Sequence, residues 1–405
     1  MTWQKKIIKN AVTQTSDKST FNCDLAKLGV ITAIDVCATA WNGTTNNRNA
    51  HIHNNITQIK VVGGGSDDWV KATGYQVMRL NHFDQKHQHA MYLNEGPSIK
   101  QREYFRILFG RKFGDKEYGM DPTWYPNNLD LQVTYDLTLV SEEGKTQHGV
   151  NATIGYATGT AAFTIVAYHD PNLTGKMKGC LATVMDNAIT TTAANTEKFT
   201  IDQPEAKLRR VMVECYDPGI SDGVDVTGYE VDPPANVTYV NEGNWVDTQA
   251  SNQAKYEIDS TYRGIIHANN ADVIETHAGT VEHVVLTPYW MTATASTDNV
   301  TYDTVATLAG GTFRLNSITK DGDASTVDAL NNTEHYVYYV AKGKLGVGNA
   351  IMVDFTPDVG TPAENEESWL DGKTFAGTDI VLTQGGAGGS MNIVKQFFAL
   401  PGAGI

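Results

Sequence analysis

The sequence predicts an all-β chain folded as two consecutive β-sandwich domains, and three observations carry that prediction. Apolar and polar residues alternate at a period of two in segment after segment. The strictest case is Leu129–Leu139, where Leu129, Leu131, Val133, Tyr135, Leu137 and Leu139 alternate with Asp130, Gln132, Thr134, Asp136 and Thr138. Successive side chains of a strand point to opposite faces, so one face of such a segment packs on a core while the other meets water or a neighbouring subunit. Second, helical periodicity is nearly absent. Third, clusters of Gly, Asn, Asp, Thr and Pro separate the apolar stretches and punctuate strands rather than build helices.

Taken in order, the chain opens with Trp3, Ile7 and Ile8 set among Lys5, Lys6 and Lys9, a helix-compatible amphipathic spacing with a basic face. Residues 1–44 are read as an N-terminal arm, either an interfacial anchor or a terminal segment that packs on a neighbour. The first domain, 45–170, holds strand patterns at Ile56–Val62, Gly74–Leu80, Tyr104–Phe109, Leu129–Val140 and Phe163–Tyr168. Residues 171–195, with Thr190-Thr191-Thr192-Ala193-Ala194 and no sustained alternation, read as a linker. The second domain, 196–405, holds patterns at Leu208–Tyr216, Val281–Leu286, Tyr336–Val340, Ile351–Phe355, Ile380–Leu382 and Met391–Phe398. Many strands at short spacing predict sandwich or barrel architecture. The loops Pro233–Tyr256 and Pro357–Thr378 are longer than a compact sandwich needs, and such loops are usually functional.

A chain of 405 residues suits two domains of this size and can bury its core without a disulfide or metal staple. Cys23, Cys37, Cys180 and Cys215 lack metal-ligand or redox spacing, and no signal peptide is evident, so they read as reduced thiols of a protein made in cytoplasm. The sequons at Asn42, Asn172, Asn236 and Asn299 then carry no glycan. No window approaches the ~20 apolar residues of a membrane span. Net charge is −15 and is unevenly placed: residues 1–130 hold 16 Lys/Arg against 12 Asp/Glu, the remainder 15 against 34. The acidic second part argues against binding a phosphate backbone, which attracts the opposite sign.

The candidates for chemistry are few. Gly219-Ile220-Ser221-Asp222-Gly223 matches the G-x-S-x-G elbow, but the alternating Val224–Tyr229 that follows reads as a strand where a helix is needed. The histidine cluster is densest at His82, His87 and His89, with His51 and His53 upstream. His87 and His89 share a strand face, and Glu95 adds a carboxylate, so these three form a candidate metal set of the kind cupins use. The glycine expected before them is missing, five residues separate His89 from Glu95, and no second cupin motif follows. Asp321-Gly322-Asp323 is too short for a calcium loop, and Glu364, Glu366 and Glu367 read as a solvated face. Gly63–Gly65 and Gly385–Gly389 read as hairpin turns. Nothing demands an enzyme or a cofactor.

Three stretches resemble double jelly-roll major capsid proteins of tailless icosahedral DNA viruses, the membrane-containing bacteriophages and their relatives. The first is Phe109-Gly110-Arg111, then Asp115, Tyr118-Gly119-Met120-Asp121 and Asn127-Asn128-Leu129. The second is Phe199-Thr200-Ile201-Asp202-Gln203-Pro204 followed by Arg209–Val213, and the third is Asp379–Gln384 with Met391–Gln396. The long acidic loops of the second half depart from the family. The resemblance implies two eight-stranded jelly rolls and a homotrimer whose six rolls form a pseudo-hexagonal capsomer. It also implies strands standing roughly perpendicular to the shell. The partners it implies are neighbouring capsomers, penton and minor capsid proteins, and an internal membrane met by the arm residues Trp3, Lys5, Lys6, Ile7 and Lys9; the protein would reside in the virion. On this reading Arg111, Lys112, Trp124 and Tyr125 are interface candidates, and Trp69, Trp245, Trp290 and Trp369 are anchors at interfaces or caps of their own rolls. The alternatives are a β-sandwich receptor- or carbohydrate-binding viral appendage, with the tryptophans as stacking platforms, and a cupin-like metalloenzyme.

Overall fold

The computed structural model describes residues 3–43, 52–86, 91–92, 98–138, 156–216, 225–267, 273–275, 278–290, 300–307, 312–320, 335–355, 366 and 369–401. The first part of the chain supplies β1 (Gln4–Thr13), β2 (Lys18–Asp24), β3 (Val30–Trp41), β4 (Ile56–Gly63), β5 (Asp67–Ala72), the short β6 (Met91–Tyr92), β7 (Lys100–Leu108), β8 (Leu129–Asp136) and β9 (Ala162–Asp170). One sheet runs β1-β9-β3-β7-β6; the strands β2-β8-β4-β5 face it. Phe163 of β9 closes the sandwich between them, stacking on Phe21 of β2 at 5.0 Å and tilting against Tyr135 of β8 at 5.3 Å. The alternation of β8 is realised directly: Leu129, Leu131, Val133 and Tyr135 are buried, and the polar residues between them are partly exposed.

Residues 1–44 are not an arm. They contribute β1, β2 and β3, and β3 lies in the middle of its sheet between β9 and β7. Its sequence, VITAIDVCATAW, does not alternate because both faces are covered, so only Trp41 is exposed. The expected amphipathic helix at the N-terminus is the edge strand β1, paired antiparallel with β9 from Gln4↔His169 to Thr13↔Ala162. An edge strand has one open side, which explains a pattern that fits neither period well.

The strand expected at Gly74–Leu80 is a helix, Gly74–Gln85. Tyr75 and Val77 flank Gln76 and imitate a short alternation, but the start is fixed by a capping box. The Gln76 N–H donates to Thr73 Oγ1 at 3.2 Å, and the Thr73 N–H donates to Gln76 Oε1 at 3.0 Å. Leu80 and Phe83 of this helix pack with Met212 and Val394, which belong to strands of the second half.

Those strands follow β10 (Cys180–Met185), the short β11 (Ile189–Thr190) and β12 (Thr196–Ile201). They are β13 (Lys207–Tyr216), β14 (Val226–Asp232), β15 (Glu242–Asn244), β16 (Thr261–His267), β17 (Val273–Glu275), β18 (Ala278–Trp290), β19 (Val300–Thr307), β20 (Thr312–Lys320), β21 (His335–Val347), β22 (Ala350–Asp354), the short β23 (Leu370–Asp371), β24 (Thr378–Gln384) and β25 (Ser390–Ala399). The sheet β12-β24-β14-β15 faces β10-β25-β13-β22. Ile201 of β12 and Thr378 of β24 meet Leu208 of β13 and Phe397 of β25 around one small gap.

The segment 171–195, expected as a linker, therefore contains a strand. Cys180, Leu181 and Ala182 are fully buried in β10, which pairs antiparallel with β25 and parallel with β5 through Thr183↔Val70 and Val184↔Lys71. That parallel joint makes one continuous sheet, β2-β8-β4-β5-β10-β25-β13-β22, across both sandwiches. Arg210 of β13 ties the joint from one side, donating to Asp84 of the helix at 2.6 Å and to Gln396 of β25 at 2.7 Å.

Two further differences concern the second half. Val281–Leu286 and Tyr336–Val340 are strands, but outside the sandwich: they belong to β18 and β21 in the three-stranded sheet β16-β21-β18, beside a second sheet β17-β20-β19. This insertion leaves and returns at one place, where the Gly343 N–H donates to Ser260 O at 2.8 Å. The long loop Pro233–Tyr256 contains a helix, Trp245–Tyr256, with Asn244 as its N-cap. The helix closes the edge of β22 with side chains: Asn252 Nδ2 donates to Met352 O at 2.9 Å, and its Oδ1 accepts from Met352 N at 2.6 Å. A carboxamide thus stands in for the next strand.

Candidate functional site

His87, His89 and Glu95, the candidate metal set, lie outside the described residues, as do His51, Gly219–Gly223 and Asp321–Asp323. Among the described residues no group of three or more His, Cys, Asp and Glu side chains is placed to hold a metal. His53 is fully buried on Glu103, whose Oε2 accepts from the His53 backbone N–H at 2.9 Å and lies 3.0 Å from the ring Nδ1. His82 is buried with its ring edge against Tyr262. All four cysteines are buried and unpaired with one another. Burial pushes the Cys23 thiol up to about 11, so it is held as a small apolar group rather than a thiolate.

The charged turn at Arg111 is built from the C-terminal end of β7. Asp115, 3% exposed, takes the guanidinium as a fork: Nε donates to Oδ2 at 2.7 Å and Nη2 to Oδ1 at 2.9 Å, while the Arg111 and Glu117 backbone N–H groups, both at 3.0 Å, complete its acceptor set. Burial raises the Asp115 carboxyl, but the fork and the backbone donors outweigh it and hold the group below the ordinary carboxylate range. Arg111 also donates to Glu117 at 2.7 Å and, across 255 residues, to Glu366 at 3.2 Å; its backbone carbonyl accepts from Arg209 Nη2 at 3.1 Å. Its guanidinium carbon lies 5.0 Å from the Tyr118 ring centre, and Tyr118 in turn packs on Trp369 and Phe398. The turn therefore latches the two sandwiches together within one chain. Lys112 beside it is exposed.

The other interface candidates close their own sandwich. Trp69 is fully buried; its Nε1 donates to Tyr125 Oη at 3.1 Å, Tyr125 Oη donates to Asp67, and the Trp124 ring stacks on Trp69 at 6.0 Å. Trp245 and Trp369 are likewise buried within the chain.

Exposed surfaces among the described residues include two of mixed apolar and charged character. One is the edge strand β1, where Lys5 and Ile7, the latter 57% exposed, share the outer face and Lys6 is exposed on the opposite one. Lysines on an edge strand discourage uncontrolled strand pairing, and the register shifts between Ile7 and Val12 add to that protection. The other is a groove of ≈ 700 Å³ where β14, β15, the Trp245–Tyr256 helix and β22 meet. Tyr229, Tyr239, Val240 and Phe355 line it, and Glu242 and Asp247 stand exposed in it. Its lysine, Lys255, is already paired with Asp354 at 3.2 Å.

No protein-family model and no curated relative matches the chain. Solved structures do. The chain is similar to the major capsid protein of STIV, with a TM-score of 0.59 and 13% identity over 99% of this chain and 98% of that one. It matches a chain in the atomic structure of Sulfolobus turreted icosahedral virus at TM-score 0.58 and 13% identity, over 98% and 91%. A remoter likeness, TM-score 0.43 and 9% identity, is to the major capsid protein P2 of bacteriophage PM2. The fold of this chain is that of a double jelly roll.

Proposed function

We propose that this chain is the major coat subunit of an icosahedral virus shell, which trimerises into pseudo-hexagonal capsomers that tile the particle. The observation that carries the reading is the end-to-end match to the STIV capsid protein, 99% of one chain against 98% of the other, so both rolls and their joint correspond rather than one module. The continuous sheet across the rolls supports it, because a tile under load needs its two halves to move as one body. The Arg111 latch and the Arg210 tie serve the same end. Lys112, exposed beside the latch, remains a candidate contact with a neighbouring copy.

Light scattering coupled to size exclusion tests the proposal. A trimer or larger closed assembly at micromolar concentration is expected; a clean monomer at every concentration contradicts it. A stable trimer is expected to bury upwards of ~2,000 Å² at each interface.

A further inference from the structure

We infer that the groove between β14, β15 and the Trp245–Tyr256 helix receives the β1 edge of a second copy of this chain, with Ile7 as the apolar knob and Lys5 and Lys6 as its cations. The inference rests on the coat-subunit reading and names one contact within it.

Two pairs of like charges stand in cross-strand register in the second roll. In β14 and its partners, Asp232 stands directly opposite Asp379, and Glu230 directly opposite Glu242. Like charges in direct cross-strand register repel. The first pair is relieved inside the chain, since Lys198 Nζ reaches Asp232 at 3.1 Å and Asp379 at 3.3 Å. For Glu230 and Glu242 no cation among the described residues does the same. Glu242 lies in the groove with Asp247, and the lysine there is engaged with Asp354. A cation brought from outside would complete the arrangement that Lys198 provides one step along the strand.

The groove is not merely acidic. Tyr239, Val240 and Phe355 give it an apolar lining, and Val240 is 79% exposed. A suitable partner therefore presents an apolar side chain flanked by cations. β1 has that composition: Ile7 is 57% exposed, Lys5 and Lys6 precede it, and neither lysine pairs with a carboxylate among the described residues. The charge distribution of the whole chain points the same way, with an excess of Lys/Arg in residues 1–130 and 34 Asp/Glu against 15 Lys/Arg beyond them. The donor surface is in the first roll and the acceptor in the second, so the contact is heterologous, the kind that closes a ring when the rotation permits.

Charge reversal with rescue tests this. Glu242→Lys leaves the fold intact, because the new cation faces Glu230, and Lys5→Glu with Lys6→Glu alters only exposed side chains. Each change alone is expected to raise the concentration at half-assembly by about tenfold, and added salt is expected to weaken assembly of the wild type. Combining the three substitutions is expected to restore it. Wild-type assembly that ignores salt and both reversals overturns the contact and leaves the coat-subunit reading standing; a monomeric wild type overturns both. Lys5→Glu with Lys6→Glu that abolishes binding to phosphatidylserine vesicles while assembly is unchanged assigns these lysines to a membrane and also overturns it.

Discussion

Asp115 anchors Arg111, the residue whose side chain and carbonyl make the contacts between the rolls. It accepts the Arg111 fork and two backbone N–H groups, so Asp115→Asn replaces a buried charged acceptor with a group that must present donors to donors. Urea unfolding should show a loss of about 2–3 kcal/mol. The pH dependence follows from the same contacts. The folded carboxyl titrates below its ordinary value, so its contribution is fully present above about pH 4 and is lost as pH falls through the depressed value. Glu117, lowered by Lys178 and then by Arg111, adds in the same direction. The urea stabilities of the wild type and Asp115→Asn should therefore converge as pH falls below about 4. The charged composition of Arg111–Glu117 is plain in the sequence, but its meaning is not. Glu366 and Arg209 sit far along the chain, and only the fold shows that Arg111 meets them. Trp124 and Tyr125 likewise meet Trp69, a contact that no local pattern encodes.

At the scale of elements, period-two alternation was legible wherever a strand has one wet face, as in β8. It failed for β3, whose two faces are both covered, and for β1, whose edge position leaves it polar. Thr73-x-x-Gln76 was a readable helix start, hidden by the chance alternation of Tyr75 and Val77 about Gln76. The Trp245–Tyr256 helix carries no apolar stripe because its inner face works by hydrogen bonding, through Asn252 and Gln249, whose Nε2 donates to Val347 O at 3.2 Å. That makes a sharp prediction. Asn252→Ala leaves the Met352 N–H and C=O at the β22 edge without their partner and should cost about 1–3 kcal/mol. Light scattering on incubation at 37 °C should also rise, because an uncapped edge invites strand addition.

For the whole molecule, the two-roll organisation was readable from pattern and resemblance, whereas the joint between rolls was not. A parallel pairing of β5 with β10 joins residues more than a hundred positions apart, and no local periodicity encodes it. The insertion carrying β16 to β21 was visible as strands but not as separate sheets, since alternation says which face is buried and not against what. Because it departs and returns beside the Ser260–Gly343 hydrogen bond, replacing residues 265–338 with a short Gly/Ser turn should leave a folded two-roll body. Circular dichroism with a single cooperative melt would check this, and loss of the melt would show that the rolls depend on the insertion. Electron microscopy of the purified protein with two-dimensional averaging checks the coat-subunit reading at this scale. A trimer with six lobes and a pseudo-hexagonal outline is expected; averages that show only isolated two-lobed monomers would rule it out.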